Sequence, residues 1–91
     1  MFKTLEELIA VIRQRKESSN KESYTNKLLN NKKLSVEKVK EEIAELIDAI
    51  EKNTNKVHEA TDVLYHLMVL LEANDINIED VMDELKKRQK K

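Results

Sequence analysis

Residues 41–48 read Glu41-Glu42-Ile43-Ala44-Glu45-Leu46-Ile47-Asp48, which sets four carboxylates within two turns if the segment is helical. The 41/45, 42/45 and 45/48 spacings face one another on a helix, and each like-charge pair of this kind costs roughly 0.2–0.5 kcal/mol. At about 100° per residue, Glu42 and Glu45 fall at the edge of the apolar stripe rather than opposite it. A second polar strip follows, made of Glu59, Asp62 and His66 and bordered by Val63, Tyr65 and Val69. Partly buried carboxylates one turn apart are costly unless they are paired or bind a metal. If the two segments are antiparallel helices, E-E-x-x-E and E-x-x-D bring Glu41, Glu42, Glu45, Glu59 and Asp62 towards one point. Hard oxygen ligands in that number suit Mg²⁺ or Mn²⁺, with water completing the shell. The competing reading makes Glu41, Glu45, Glu59 and Asp62 surface charges paired with Lys38, Lys40, Lys52 or Lys56. His66 reads as a hydrogen-bonded histidine at a helix interface rather than as a ligand.

The elements that must position these residues are helices, since the chain has no Gly and no Pro to interrupt them. Thr4 to Glu7, T-x-x-E, predicts a capping box opening a first helix with Leu5, Leu8, Ile9 and Ile12 on one face, fading near Lys16. Residues 17–22 are polar and unpatterned, hence a loop. A short helix over Tyr24 to Leu29 follows, capped by Ser23, and Asn30 to Leu34 form a second connector. Ser35 is expected to cap the third helix, which runs to about Lys52. Its apolar stripe is Val36, Val39, Ile43, Leu46, Ile47 and Ile50, and Asn53-Thr54-Asn55 ends it. The fourth helix spans about Lys56 to Glu72 and is apolar almost all round, which places it in the middle of the assembly. Asn74-Asp75 turns the chain. Asn77 then caps a last helix carrying Ile78, Val81, Met82 and Leu85, and Lys86 to Lys91 form a basic end suited to a helix C-terminus. The expected fold is all-α: a hairpin of two long helices with shorter flanking helices. A dimer would complete a four-helix core.

Composition narrows the function. The 91 residues suit one domain, spanning 1–91, of a size at which a single core is marginal and self-association is the usual remedy. Without Cys there is no disulfide, thiolate zinc site or thiol nucleophile. Without Gly there is no Walker loop or dinucleotide fingerprint, so any phosphate must be held by side chains or metal. A net charge of −1 from 17 basic and 18 acidic residues argues against a nucleic-acid binder. No apolar run is long enough to span a membrane, and Glu6 and Glu7 interrupt any signal-peptide core at the N-terminus, so the cytoplasm is expected.

Residues Glu59 to Leu71, E-A-T-D-V-L-Y-H-L-M-V-L-L, resemble the E-A-x-D-L-L-Y-H-L-L-V-L-L signature of phosphoribosyl-ATP pyrophosphohydrolases. Arg15-Lys16, then Ser23-Tyr24-Thr25 with Leu28-Leu29, resemble the family's R-K…S-Y-T-x-x-L stretch. Lys38-Val39-x-Glu41-Glu42-x-x-Glu45 is similar to its K-V-G-E-E-x-x-E, and Asp80-Val81 to Arg88 to its last helix. The likeness covers nearly the whole chain.

The resemblance implies an all-α, MazG-type nucleotide pyrophosphohydrolase. Such enzymes are Mg²⁺-dependent, form dimers or higher assemblies, and hydrolyse the link between the α and β phosphates. Their histidine-pathway substrate is phosphoribosyl-ATP, released as phosphoribosyl-AMP and pyrophosphate. Carried over by motif, Glu41, Glu42, Glu45, Glu59 and Asp62 would be the metal set, with Glu42 or Glu45 as general base. Arg15, Lys16 and Lys38 would contact phosphate, and Ser23, Tyr24 and Thr25 would shape the substrate side. The family's glycines are absent here: residues 30–34 form a slightly shorter connector, and Lys40 stands before the E-E pair. These departures bear on the substrate, not on the metal set. Two alternatives are therefore a house-cleaning (d)NTP pyrophosphohydrolase of the same superfamily and a non-catalytic helical dimerisation module.

Overall fold

The computed structural model of the chain describes residues 2–17 and 23–89, which form five helices and, among the described residues, no strand. They are α1 (Lys3–Glu17), α2 (Tyr24–Leu29), α3 (Lys32–Lys52), α4 (Lys56–Ala73) and α5 (Ile78–Gln89). The all-α reading holds. The expected loop over 17–22 lies outside the described residues, except that Glu17 ends α1.

Two expected helix starts are corrected. The Glu6 N–H donates to the Phe2 carbonyl at 3.1 Å, so the backbone is already helical at Thr4 and the T-x-x-E box does not open α1. α3 begins at Lys32, three residues before Ser35, because the Asn31 side chain accepts from the Leu34 N–H and takes the cap position. Ser35 is instead fully buried, its hydroxyl donating to the Leu28 carbonyl at the end of α2. That bond satisfies one of the carbonyls a helix leaves open at its C-terminus. Ser23 does occupy the cap position of α2, in extended conformation, but its hydroxyl accepts from Arg15 rather than from the helix.

With no glycine available, the tight turns fall to Asn and Asp, whose short polar side chains tolerate left-handed backbone. Asn53 (φ 56°) ends α3, Asn55 (φ 44°) leads into α4, and Asp75 (φ 58°) sits in the turn after α4. The three residues between α3 and α4 fold these helices back on each other as an antiparallel hairpin.

α1 and α2 pack on the C-terminal half of α4. Ile12, Leu28, Leu29, Met68, Val69 and Ala73 form the buried core, flanked by Leu5, Leu8, Ile9, Leu34 and Tyr65. Full burial of an aliphatic side chain such as Ile12, Leu28 or Val69 contributes about 1.5–3 kcal/mol. α4 is central in this half, as its all-round apolarity predicts. Its N-terminal half differs: Val57 is 82% exposed and Leu64 is also open, beside Ile43, Ile47 and Ile50 of α3. Four of the six residues of the predicted α3 stripe, Val36, Ile43, Ile47 and Ile50, are thus uncovered in the single chain.

Candidate active site

Antiparallel pairing of α3 and α4 sets Glu42 and Glu45 across from Glu59. One carboxylate oxygen from each of these three residues lies within 4.8 Å of the other two. Glu42 and Glu59 are half-buried, and the Oε2 atom of each is fully enclosed without a hydrogen-bond partner. Burial pushes the Glu42 carboxyl above its ordinary range, and the neighbouring Glu45 and Asp62 push it further while His66 opposes them. Burial likewise raises Glu59, with Glu45 and Asp62 adding to it and His58 opposing. The enclosed oxygens lie among other carboxylates, an arrangement that a hard divalent cation relieves.

Asp62 joins the cluster through a second grouping with Glu59 and His58, again within 4.8 Å. The His58 Nε2 lies 3.4 Å from Asp62 Oδ2 and 3.8 Å from Glu59 Oε1. Sequence reasoning passed over His58. Its signal was available, since it adjoins Glu59 and stands one turn before Asp62.

Glu41 is not brought to this point. It is exposed and lies 3.5 Å from the Lys38 ammonium. Asp48 likewise pairs with Lys52 at 3.2 Å, and of the four residues it names the surface-charge reading describes only Glu41. It does not describe Glu45, Glu59 or Asp62, which have no lysine partner among the described residues. An open cleft of about 500 Å³ adjoins the cluster, lined by Ala44, Glu45, Asp48, Ala49, Thr54, Asn55 and Glu59.

On the other side of the cluster stands a polar and aromatic group that carries α2. The Tyr24 hydroxyl lies 3.0 Å from His66 Nε2, and the Thr25 and Tyr65 hydroxyls are hydrogen-bonded. The two tyrosine rings are nearly parallel, with centroids 6.4 Å apart. Burial raises the Tyr24 phenol, Lys38 opposes that shift, and Glu42 and Glu41 reinforce it. Tyr24, Lys38 and the carboxylates therefore share one electrostatic neighbourhood. His66 is buried and doubly bonded at a helix interface, as its position predicts.

Among the cations expected to meet phosphate, the Arg15 guanidinium donates to the Ser23 hydroxyl at 2.9 Å, beside Tyr24. Lys16 lies elsewhere: its ammonium donates to the Glu72 carbonyl and to Asp75, both at 2.7 Å. Glu72 is ten residues beyond Asp62 on α4, about 15 Å along the helix at 1.5 Å per residue.

The family model for phosphoribosyl-ATP pyrophosphohydrolase matches residues 5–89. A phosphoribosyl-ATP pyrophosphatase of Clostridium novyi is 44% identical over 91 residues, covering 96% of this chain and 82% of its own. One from Methanococcoides burtonii is 40% identical over 90 residues, covering 93% and 91%. A histidine biosynthesis bifunctional protein HisIE of Pyrococcus furiosus is 42% identical over 87 residues, covering 94% of this chain but 41% of the longer relative. A match of this extent, over all of α2, α3, α4 and α5 and most of α1, places the chain in the phosphoribosyl-ATP pyrophosphohydrolase family, a family of enzymes.

Proposed function

We propose that this chain hydrolyses the α–β phosphate link of phosphoribosyl-ATP, giving phosphoribosyl-AMP and pyrophosphate, with Mg²⁺ held by Glu42, Glu45, Glu59 and Asp62. The observation that carries this reading is the pair of enclosed, unpartnered carboxylate oxygens on Glu42 and Glu59. Mn²⁺ fits the same oxygen set. Glu41, part of the family's motif, would have to leave Lys38 to join it. When bound, the ion supplies charge neutralisation at the phosphates and activation of water.

The protein's own part is to hold those carboxylates on two packed helices and to take up a proton. Glu42 and Glu45 are the candidate bases. The role falls to whichever of the two the ion leaves uncoordinated, since a carboxylate held by the cation is a poorer base. Arg15 and Lys38 stand on the Tyr24 side as contacts for phosphate, and Ser23, Tyr24 and Thr25 shape the substrate side. Lys16, engaged at the far end of α4, acts on phosphate only if it leaves Asp75.

The 91 residues act as one domain, and the uncovered face of Ile43, Ile47, Ile50, Val57 and Leu64 supports a homodimer in which a second copy completes a four-helix core. No described helix is long and apolar enough to cross a membrane, and a cytoplasmic setting agrees with the nucleotide substrate. Pyrophosphate release assayed with phosphoribosyl-ATP and a panel of (d)NTPs, in Mg²⁺ and in chelator, tests the whole reading. Mg²⁺-dependent turnover confined to phosphoribosyl-ATP supports it. Preference for a (d)NTP makes the chain a house-cleaning enzyme, and no release from any substrate leaves a non-catalytic dimerisation module.

A further inference from the structure

We infer that His66 is a positioning residue that ties Tyr24, on the substrate side, to the turn of α4 that carries Asp62; this rests on the functional reading above. His66 is 8% exposed and lies one turn after Asp62 on the same face of α4. Its Nδ1 stands 2.9 Å from the Asp62 carbonyl, which can only accept, so Nδ1 carries the hydrogen. In the neutral ring Nε2 is then an acceptor, and the Tyr24 hydroxyl 3.0 Å away donates to it. The imidazole also meets both tyrosine rings nearly edge-on, with centroids 5.9 Å from Tyr24 and 5.0 Å from Tyr65.

The clamp matters because of what it holds. α2 has six residues, too few to stand as a helix without tertiary ties. Tyr24 keeps 47% of its surface open while lying close to Lys38 and Glu42. An aromatic face held beside a cation and a carboxylate cluster is placed to orient a nucleotide over that cluster. Glu42, Glu45 and Glu59 are fixed by α3 and α4 alone, so loosening Tyr24 disturbs the nucleotide and not the cation.

The test compares Tyr24→Phe, His66→Asn and the double variant. Asn keeps an amide N–H near the Nδ1 position but does not reach Tyr24, and Phe removes one oxygen. Steady-state hydrolysis of phosphoribosyl-ATP is read with Mg²⁺ affinity of the nucleotide-free protein, and circular dichroism confirms folding. Each single variant is expected to raise KM roughly tenfold, the worth of one hydrogen bond to a buried partner, with kcat changed less than about twofold. The double variant is expected to be no worse than the singles, because both substitutions break the same bond, and Tyr24→Phe is expected to leave Mg²⁺ affinity unchanged. Multiplying effects, a loss in kcat at unchanged KM, or wild-type KM in Tyr24→Phe overturns the positioning role while leaving the hydrolase reading intact. A wild-type protein that releases no pyrophosphate overturns the hydrolase reading, and the positioning role falls with it.

Discussion

α4 carries carboxylates at both ends, and the two ends treat them in opposite ways. At the C-terminal end, the buried Glu72 accepts from Arg13 Nε at 3.1 Å, and the other two guanidinium nitrogens grip Glu79 at 2.8 and 2.6 Å. Lys16 bridges the Glu72 carbonyl and Asp75. These charged hydrogen bonds push the Arg13 guanidinium up, pull the Glu79 carboxyl down to about 2 and lower Asp75. Towards the N-terminal end, Glu59 faces Glu42 and Glu45 across the hairpin, and burial and mutual repulsion raise Glu42 and Glu59. Carboxylates gathered at the two ends of α4 are thus shifted in opposite directions, Glu79 and Asp75 down and Glu42 and Glu59 up. One cluster is electrically complete and fastens α1 and α5 to α4. The other gathers raised carboxylates with no lysine or arginine partner among the described residues, which makes it the candidate site.

Substitutions separate the two clusters most sharply. Glu42→Gln or Asp62→Asn is expected to lower kcat/KM for phosphoribosyl-ATP by about two orders of magnitude or more, with helicity by circular dichroism unchanged. Next in size is the effect of the cation on stability. Saturating Mg²⁺ at about 100 times its Kd adds about 2.7 kcal/mol to unfolding free energy. The rise in Tm is expected in the wild type and is lost in Glu59→Gln. Arg13→Met strikes the other cluster, leaving Glu72 buried without its cation. Urea denaturation is expected to show a loss of about 1–3 kcal/mol, with kcat at the wild-type value.

The smallest effect is the pH dependence, where the clusters again oppose each other. Glu79 is held below its ordinary value of 4.5, so its contribution is full above 4.5 and fades as pH falls towards about 2. Asp75 acts in the same direction from its ordinary 3.8. Glu42 and Glu59 are raised, so their ionisation costs the metal-free fold, and that cost is relieved as pH falls through their folded values towards 4.5. The stability gap between wild type and Arg13→Met is therefore expected to narrow below pH 4.5. Metal-free Glu42→Gln, in contrast, should differ most from wild type at neutral pH.

This contrast was half visible in the sequence. Period and like-charge spacing located Glu42, Glu45, Glu59 and Asp62, because the chemistry is written within two helices and a hairpin turn. The span of α4 and the interface role of His66 followed from the same local pattern. Partners distant in sequence were not legible. Lys16 reads as a phosphate contact beside Arg15, yet α1 packs so that it meets Asp75, 59 positions away. Arg13, which holds the complete cluster together, has no local signal at all, since Glu72 and Glu79 lie on α4 and α5. Ser35 and Asn31 are both good caps, and the choice between them was made by the buried Leu28 carbonyl that needs the serine hydroxyl. A face left for a second copy was expected, but which residues of the α3 stripe stay open was not, because a stripe in sequence does not say whether its cover comes from the same chain.

The central claim, that the unpaired cluster is a cation site for pyrophosphate release, is tested most directly by following phosphoribosyl-ATP with ³¹P NMR. Wild type and Glu59→Gln are to be compared in Mg²⁺ and in chelator. Pyrophosphate and phosphoribosyl-AMP are predicted to appear in equal amounts with the wild type in Mg²⁺, and in none of the other three conditions. Orthophosphate as the first product, or turnover by Glu59→Gln at the wild-type rate, would contradict the account.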